Sequence, residues 1–387
     1  MLIGIDQMAF ATSDKYVDMV DLAHARNQEP GKFLIGIGQT EQAVIPVTQD
    51  VVTMGANAAE QVVDDSNRDA IDLVIFGTES GVDNSKSAAI YVQRLLNLNR
   101  YARTIEMKQA CYAGTAGLMM ARDYIAAHPG KKALIIAADI ARYGLETAGE
   151  VTQGGGAVAM IVSENPQILA LNDDSQYMSA DIMDFWRPVY RTEALVDGHY
   201  SANIYEDFFK EVWDRYREVT GNSINDFKAF AFHLPFTKMG LKGLREILPE
   251  ADESKQTDLL EEFEASRVYN KRIGNLYTGS LYLSLISLLS NSTDLQAGDR
   301  LGLFSYGSGA EGEFYSGILQ PNYKAGLKTD FGALFEKRQR VSIAEYEAIF
   351  NKSLPIDGTD LELDVSDDSA HFVLGGLQAE QRQYFAH

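Results

Sequence analysis

The stretch KQACYAGTAGLMMAR, residues 108–122, runs from a small-residue turn into an apolar helical segment and lies between two short apolar runs, IDLVIFGTES (71–80) and KKALIIAADIARY (131–143). Runs of that length rich in Val, Ile, Leu and Phe read as buried strands, so the order is strand, helix, strand and the class is α/β. GGGAVAMIVSEN (154–165) adds another strand. The order then returns: DFKAFAFHLPF (226–236) reads as a strand, GNLYTGSLYLSLISLL (274–289) as an apolar helix, and DRLGLFSYGSG (299–309) with GEFYSGIL (312–319) as two further strands. A duplicated fold follows, with halves at 1–165 and 166–387 and an inserted helical segment near 184–220 whose apolar spacing runs from Ile204 to Val219. The tail from Lys337 to Phe350 has helical spacing, and HFVLGGLQ (371–378) reads as a last strand.

When the halves are superposed by this order, the strand ending at Glu79 matches the strand ending at His233. The helix opening at Cys111 then matches the helix opening near Asn275. Ligands of α/β sheets bind beyond the carboxyl ends of strands and near helix N-termini, so one cleft between the halves receives all four side chains. A cysteine in the first turn of a helix has its thiolate stabilised and its pKa lowered. Such a thiolate accepts an acyl group from a thioester, and a neighbouring carboxylate removes a proton alpha to the carbonyl. Cys111 and Glu79 are those types. His233 and Asn275 are suited to polarising a second carbonyl, and the set points to carbon–carbon bond formation.

Each member also has a plainer reading. A lone cysteine is commonly a small buried hydrophobe, His233 after an apolar strand a satisfied core histidine, and Glu79 and Asn275 helix caps. Gly154, Gly155 and Gly156 read as a tight turn or a close backbone approach, since neither dinucleotide nor P-loop spacing is present, and no nucleotide cofactor is expected. No cluster of His, Cys and carboxylates has metal-ligand spacing, so no metal is expected either.

At 387 residues, with 45% hydrophobic residues, the chain is long enough for two core-bearing halves. One cysteine permits no internal disulfide, and MLIGIDQMAF has no basic region and carries Asp6, so it does not read as a secretory signal. A cytoplasmic protein is the expectation. LYLSLISLLS (281–290) is far shorter than the roughly 20 residues of a spanning helix, so no membrane segment is expected. A net charge of −21 disfavours nucleic acid, and the densest acidic run, DGTDLELDVSDD (357–368), reads as a solvated loop. Lys238 and Lys242, four apart, share a helix face and are placed to flank the cleft mouth and meet a phosphorylated carrier; alone they read as a solvated face.

The sequence resembles the bacterial branch of the hydroxymethylglutaryl-CoA synthase family of the thiolase superfamily over nearly its whole length. The resemblance rests on FGTES, KQACYAGTAGL, AADIARYG, MDFWRP, VDGHYS, FHLPFTKMG, GNLYTGSLYL and LFSYGSG. It implies a duplicated thiolase-like fold layered α-β-α-β-α, and a condensation of acetyl-CoA with acetoacetyl-CoA, in the mevalonate route, with the CoA thioesters as substrates and no further cofactor. By resemblance, Cys111 carries the acetyl group, Glu79 abstracts a methyl proton and later acts as acid, and His233 polarises the acetoacetyl carbonyl. Asn275 and Ser308 resemble ligands of the acyl chain, and Tyr143, Thr152, Phe185 and Ser201 walls of its pocket. Asp139 and Asp184 resemble supporting acids. Lys238 and Lys242 would meet CoA phosphates, and Glu29, Pro30 and Lys32 in QEPGKFLIGIGQ fall where the family also contacts CoA. A homodimer joined through sheet edges is expected on the same ground.

The family's animal members carry extra segments missing here, and the loop from Gly144 to Val151 aligns only with a gap. Two rivals remain at this stage: a ketoacyl synthase of the same superfamily and a silent scaffold with the same fold. Glu79 argues against the first, because a decarboxylating synthase needs no carboxylate base to form its carbanion.

Overall fold

The computed structural model describes residues 1–387. Ten strands form one sheet: β1 (Ile3–Ala11), β2 (Ile71–Gly77), β3 (Arg103–Met107), β4 (Lys132–Ala141), β5 (Gly154–Glu164), β6 (Leu169–Leu171), β7 (Gln176–Ser179), β8 (Ala229–Phe232), β9 (Arg300–Gly307) and β10 (Glu311–Leu319). Their order is β8-β9-β10-β6-β1-β5-β4-β2-β3, with β7 pairing β10. The main helices are α1 (Val51–Ala59), α2 (Ala88–Leu95), α3 (Ala113–Ala127), α4 (Gly198–Thr220), α5 (Thr237–Ile247), α6 (Ser280–Asn291) and α7 (Ile343–Asn351).

The duplication is written in the pairing. From the join outward, β1 pairs β5 and β5 pairs β4 antiparallel, and β4 pairs β2 parallel. On the other side β6 pairs β10 and β10 pairs β9 antiparallel, and β9 pairs β8 parallel. β2 and β8 are therefore equivalent strands, as are β4 and β9. Antiparallel bonds between β1 and β6, at Gly4 with Ala170 and Ile5 with Leu169, join the halves.

Three apolar clusters separate five layers. The central one packs Leu118, Ala121 and Ile125 of α3 and Leu283, Leu285 and Leu288 of α6 against Ile135 and Val158 of one half-sheet and Ala231 and Leu301 of the other. A second packs α1 and α2 on the outer face of the first half through Met54, Ala58, Val92 and Ile136. The third packs α4 and α5 on the outer face of the second through Phe209, Trp213, Leu244 and Phe304. The buried residues of α6 run unbroken from Ser280 to Leu289, which is what a helix enclosed on every side requires. No helix is long and apolar enough to cross a membrane.

Several readings are corrected. The start of the chain, to which no strand was assigned, is β1 at the middle of the sheet. Its Asp6 is buried and is held by Lys132 Nζ at 3.0 Å and the Gln167 amide at 3.1 Å, so the charge does not break the strand. The tail is not one helix. A helix ends at Lys337, Gln339–Arg340 pairs with Lys15–Tyr16, and α7 starts afresh on a Ser342–Glu345 capping box. Phe372–Gln378 is not the last strand either. The chain turns at Ala379 and Glu380, both with positive φ, into Gln381–Ala386, a polar strand without the apolar run that marks buried ones. The acidic run is solvated except for Leu363, which joins the apolar cluster over α1 and α2, and Asp368, buried and accepting bonds from the Thr48 hydroxyl and the Gln49 amide.

Candidate active site

Two turns, one from each half, build the site. Before α3 the chain reverses at Ala110, whose φ of 44° lies in the left-handed region, and this presents Cys111 two residues ahead of the first helical residue, Ala113. In the equivalent turn before α6, Asn275 lies two residues ahead of a short helical turn at Tyr277–Gly279, and Tyr277 has a φ of 41°. Glu79 follows β2 by two residues, and His233 follows β8 directly. At Gly77 a Cβ would lie 2.9 Å from the Gly114 nitrogen, so only glycine lets the end of β2 close on the start of α3. Gly154 lies within strand β5 rather than at a turn, and there a Cβ would lie 2.5 Å from the Ile273 carbonyl oxygen. Close approach, not a tight turn, is what that glycine permits.

The Cys111 thiol points at Glu79, with Sγ 3.4 Å from Oε1. Burial, and after it the nearby Asp139 charge, push the Glu79 carboxyl up to about 8 against the opposing effects of Arg187 and the thiol hydrogen bond. Burial, then Glu79 and Asp139, also push the Cys111 thiol well above its ordinary range. This corrects the expectation of a depressed thiol. Cys111 precedes the helix rather than occupying its first turn, and the carboxylates and loss of water outweigh the helix end. The pair is a thiol hydrogen-bonded to a carboxyl.

Asp139, fully buried, ties the halves together at this point. One oxygen accepts from the Thr78 hydroxyl at 2.9 Å and the Glu79 amide at 2.8 Å; the other accepts from the Thr278 amide at 3.0 Å and hydroxyl at 2.6 Å. Asn275 is equally constrained. Its Oδ1 accepts from the Tyr277 amide and the Ser280 hydroxyl, each at 2.9 Å, so its Nδ2 is left as the donor and faces the Tyr143 hydroxyl at 3.5 Å. The backbone of His233 continues the β8–β9 ladder through Phe304, and its carbonyl accepts from Tyr205 at 2.9 Å. Burial lowers the imidazole to about 3, so it is neutral at physiological pH and able to donate one N–H.

Phe185, Tyr143 and Tyr277 pack edge to face on one another, with ring centroids 5.6 to 6.2 Å apart, and Cys111 lies against this cluster. Asp184, also fully buried, accepts from Tyr306 at 2.8 Å, Ser201 at 2.9 Å and the Gly309 amide at 3.1 Å, fixing the segment that carries Phe185. Ser308 lies in the β9–β10 turn, its carbonyl 3.4 Å from Gln109 Nε2. Thr152 donates to the Gly149 carbonyl and accepts the Asn275 amide on its own carbonyl.

Lys238 and Lys242 take different partners within the protein. Lys238 donates to the Ile35 carbonyl at 3.1 Å, bringing α5 against the turn that follows Glu29, Pro30 and Lys32, whereas Lys242 pairs with Glu206 of α4 at 3.1 Å. Lys32 itself donates to Gln28. Arg187 and Tyr277 lay inside quoted motifs but were not singled out, because neither residue type nor spacing marks them; only the folded chain brings them to Glu79 and Cys111.

The family model described as hydroxymethylglutaryl-coenzyme A synthase N terminal matches residues 2–167, and the corresponding C-terminal model matches residues 254–355. A hydroxymethylglutaryl-CoA synthase of Enterococcus faecalis is 50% identical, covering 92% of this chain and 94% of the relative. The polyketide biosynthesis 3-hydroxy-3-methylglutaryl-ACP synthase PksG of Bacillus subtilis is 35% identical, covering 90% of this chain and 88% of its own. The crystal structure of an HMG-CoA synthase complexed with CoA superposes with a TM-score of 0.98 at 42% identity over all of both chains. MvaS in complex with 3-hydroxy-3-methylglutaryl coenzyme A superposes at 0.88 with 38% identity, over 100% of this chain and 99% of that one. With its layered fold of two equivalent halves and a Cys–Glu pair set between them, the chain belongs to the hydroxymethylglutaryl-CoA synthase family.

Proposed function

We propose that the protein condenses acetyl-CoA with acetoacetyl-CoA and water to give 3-hydroxy-3-methylglutaryl-CoA and CoA, the reaction that feeds the mevalonate route to isoprenoids. The observation that carries this reading is the 3.4 Å separation of Cys111 Sγ and Glu79 Oε1, which puts a general base beside the carbon of an acyl group held on the sulfur. A ketoacyl synthase that forms its carbanion by losing carbon dioxide has no use for that carboxyl.

The Cys111 sulfur attacks acetyl-CoA, its proton passes to the departing sulfur, and CoA leaves as the free thiol. Glu79 then removes a proton from the methyl group of the acetyl thioester. The carbanion adds to the ketone carbon of acetoacetyl-CoA, whose oxygen is polarised by the neutral imidazole of His233, and the protonated Glu79 returns its proton to the new alkoxide. Water hydrolyses the bond to Cys111, giving the product carboxylate and the free thiol. Asn275 Nδ2, the Tyr277 and Tyr143 hydroxyls and Ser308 supply donors around the acyl chain, and Phe185, Thr152 and Ser201 complete its walls. Asp139 and Asp184 hold these groups in place. Lys238, Lys242 and Lys32, with Glu29 and Pro30, form the outer rim suited to the CoA phosphates. CoA acts as substrate and product carrier, and the reaction calls for no other cofactor or metal.

A homodimer fits the same frame. The edge strand β3 has an open hydrogen-bonding side, and Ile105 and neighbouring Tyr101 are 44% and 82% exposed. A soluble cytoplasmic enzyme is the matching location.

Mass spectrometry of the products formed from acetyl-CoA and acetoacetyl-CoA together, with Cys111→Ser as control, tests the assignment. Hydroxymethylglutaryl-CoA is expected only from the unmodified protein. Acetylated Cys111 without that product would instead favour a ketoacyl synthase with another acceptor, and absence of both a silent scaffold.

A further inference from the structure

The guanidinium of Arg187 donates a hydrogen bond to the main-chain carbonyl of Glu79. Arg187 follows the strand Phe185–Trp186, which pairs with Leu195–Val196, and the start of that hairpin is pinned by the buried Asp184. The arginine thus reaches Glu79 from a support independent of β2. The other groups around the Glu79 carboxyl are the Cys111 thiol ahead of α3, Asp139 and Tyr143 of the β4 segment and its following loop, and Tyr277 of the opposite half; Asp184 adds its charge at Cys111. All of these are neutral or anionic. Arg142, the next cation along, is turned away, its guanidinium 3.9 Å from the Phe350 ring centroid and donating to the Phe350 carbonyl.

We propose that Arg187 is the positioning residue of Glu79: bonded to the Glu79 carbonyl, it keeps the carboxyl aimed at the acyl group on Cys111 and holds a fixed positive charge beside it. The inference rests on the reading of Glu79 as the base. Without that charge the carboxyl sits among Asp139, the thiol and apolar rings, and its proton is harder to remove. The methyl-deprotonation step then needs a higher pH, while acetyl transfer to Cys111 is little affected.

The experiment compares the parent enzyme, Arg187→Gln and Arg187→Lys. Acetylation of Cys111 by acetyl-CoA is followed by mass, and single-turnover condensation of the pre-acetylated enzymes with acetoacetyl-CoA is followed across pH. The rising limb of the condensation profile is expected to move up by about one pH unit in R187Q, an about tenfold loss at a pH below the limb, with acetylation retained within about threefold. R187K, which keeps the charge, is expected to keep the limb. A limb unmoved in R187Q, a loss equal at every pH, or a limb displaced in R187K as far as in R187Q would overturn the proposal. If R187Q does not fold, R187K decides alone: an unmoved limb supports the charge and a displaced one overturns it. Failure of the parent itself to acetylate Cys111 or to condense would instead sink the functional reading and is seen before any Arg187 variant is compared.

Discussion

Cys111 Sγ lies 3.4 Å from Glu79 Oε1, and the carboxylate raises the thiol's hold on its proton while the thiol's hydrogen bond lowers the carboxyl's. Replacing Glu79 by Gln removes a carboxylate charge and leaves the thiol in its half-buried position. Alkylation of Cys111 by iodoacetamide is therefore expected to reach half-maximal rate in Glu79→Gln about one pH unit or more below the parent. An unchanged or higher midpoint would mean that burial alone governs the thiol.

Glu79→Ala separates the two half-reactions. Removal of the base is expected to slow condensation about a hundred- to ten-thousand-fold while Cys111 still takes up one acetyl group from acetyl-CoA. Equal losses in both steps would assign Glu79 to activation of the thiol rather than to the carbon acid.

Asn275→Ala deprives the Tyr277 amide and the Ser280 hydroxyl of their acceptor inside the fold. The expected cost is about 1–3 kcal/mol in urea unfolding, together with a fall in condensation larger than any fall in acetylation. A variant of parental stability would show that these donors find another acceptor.

Stability should carry the signatures of Glu79 and His233 in opposite directions. Glu79 titrates near 8 when folded and in the ordinary carboxylate range when unfolded, so between those values the folded chain holds the extra proton and stability falls as pH rises. His233 titrates near 3 when folded and about 6.5 when unfolded, so its contribution is lost as pH falls through that window. Glu79→Gln removes only the first. Its melting temperature relative to the parent is expected to rise by a few degrees from about pH 5 to about pH 9, read by calorimetry. A flat difference would place the Glu79 carboxyl in water.

Ile105→Lys puts a charge on the exposed face of edge strand β3. Analytical ultracentrifugation is expected to show a dimer for the parent and a shift to monomer for the variant. A monomeric parent would remove the edge-paired dimer.

What sequence alone determined is the local grammar and the repeat. The strands at 71–77, 132–141, 154–164, 229–232, 300–307 and 311–319 and the apolar helix at 280–291 were legible because burial on both faces leaves unbroken apolar runs. The equivalence of Glu79 with His233 and of Cys111 with Asn275 was legible because the order of elements recurs. β1 was not, since its central place depends on pairing with β5 and β6 about 150 residues away and on the Lys132 partner of its buried Asp6. Only the tertiary structure decided how the site is charged. A helix N-terminus stabilises a thiolate by about 0.3–1 kcal/mol, an effect readable from one turn, whereas burial and neighbouring carboxylates shift a group by up to several pH units. Those carboxylates, Glu79 and Asp139, and the arginine at 187 that opposes them come from three separate segments of chain, so the state of Cys111 is a property of their meeting and of the water they exclude.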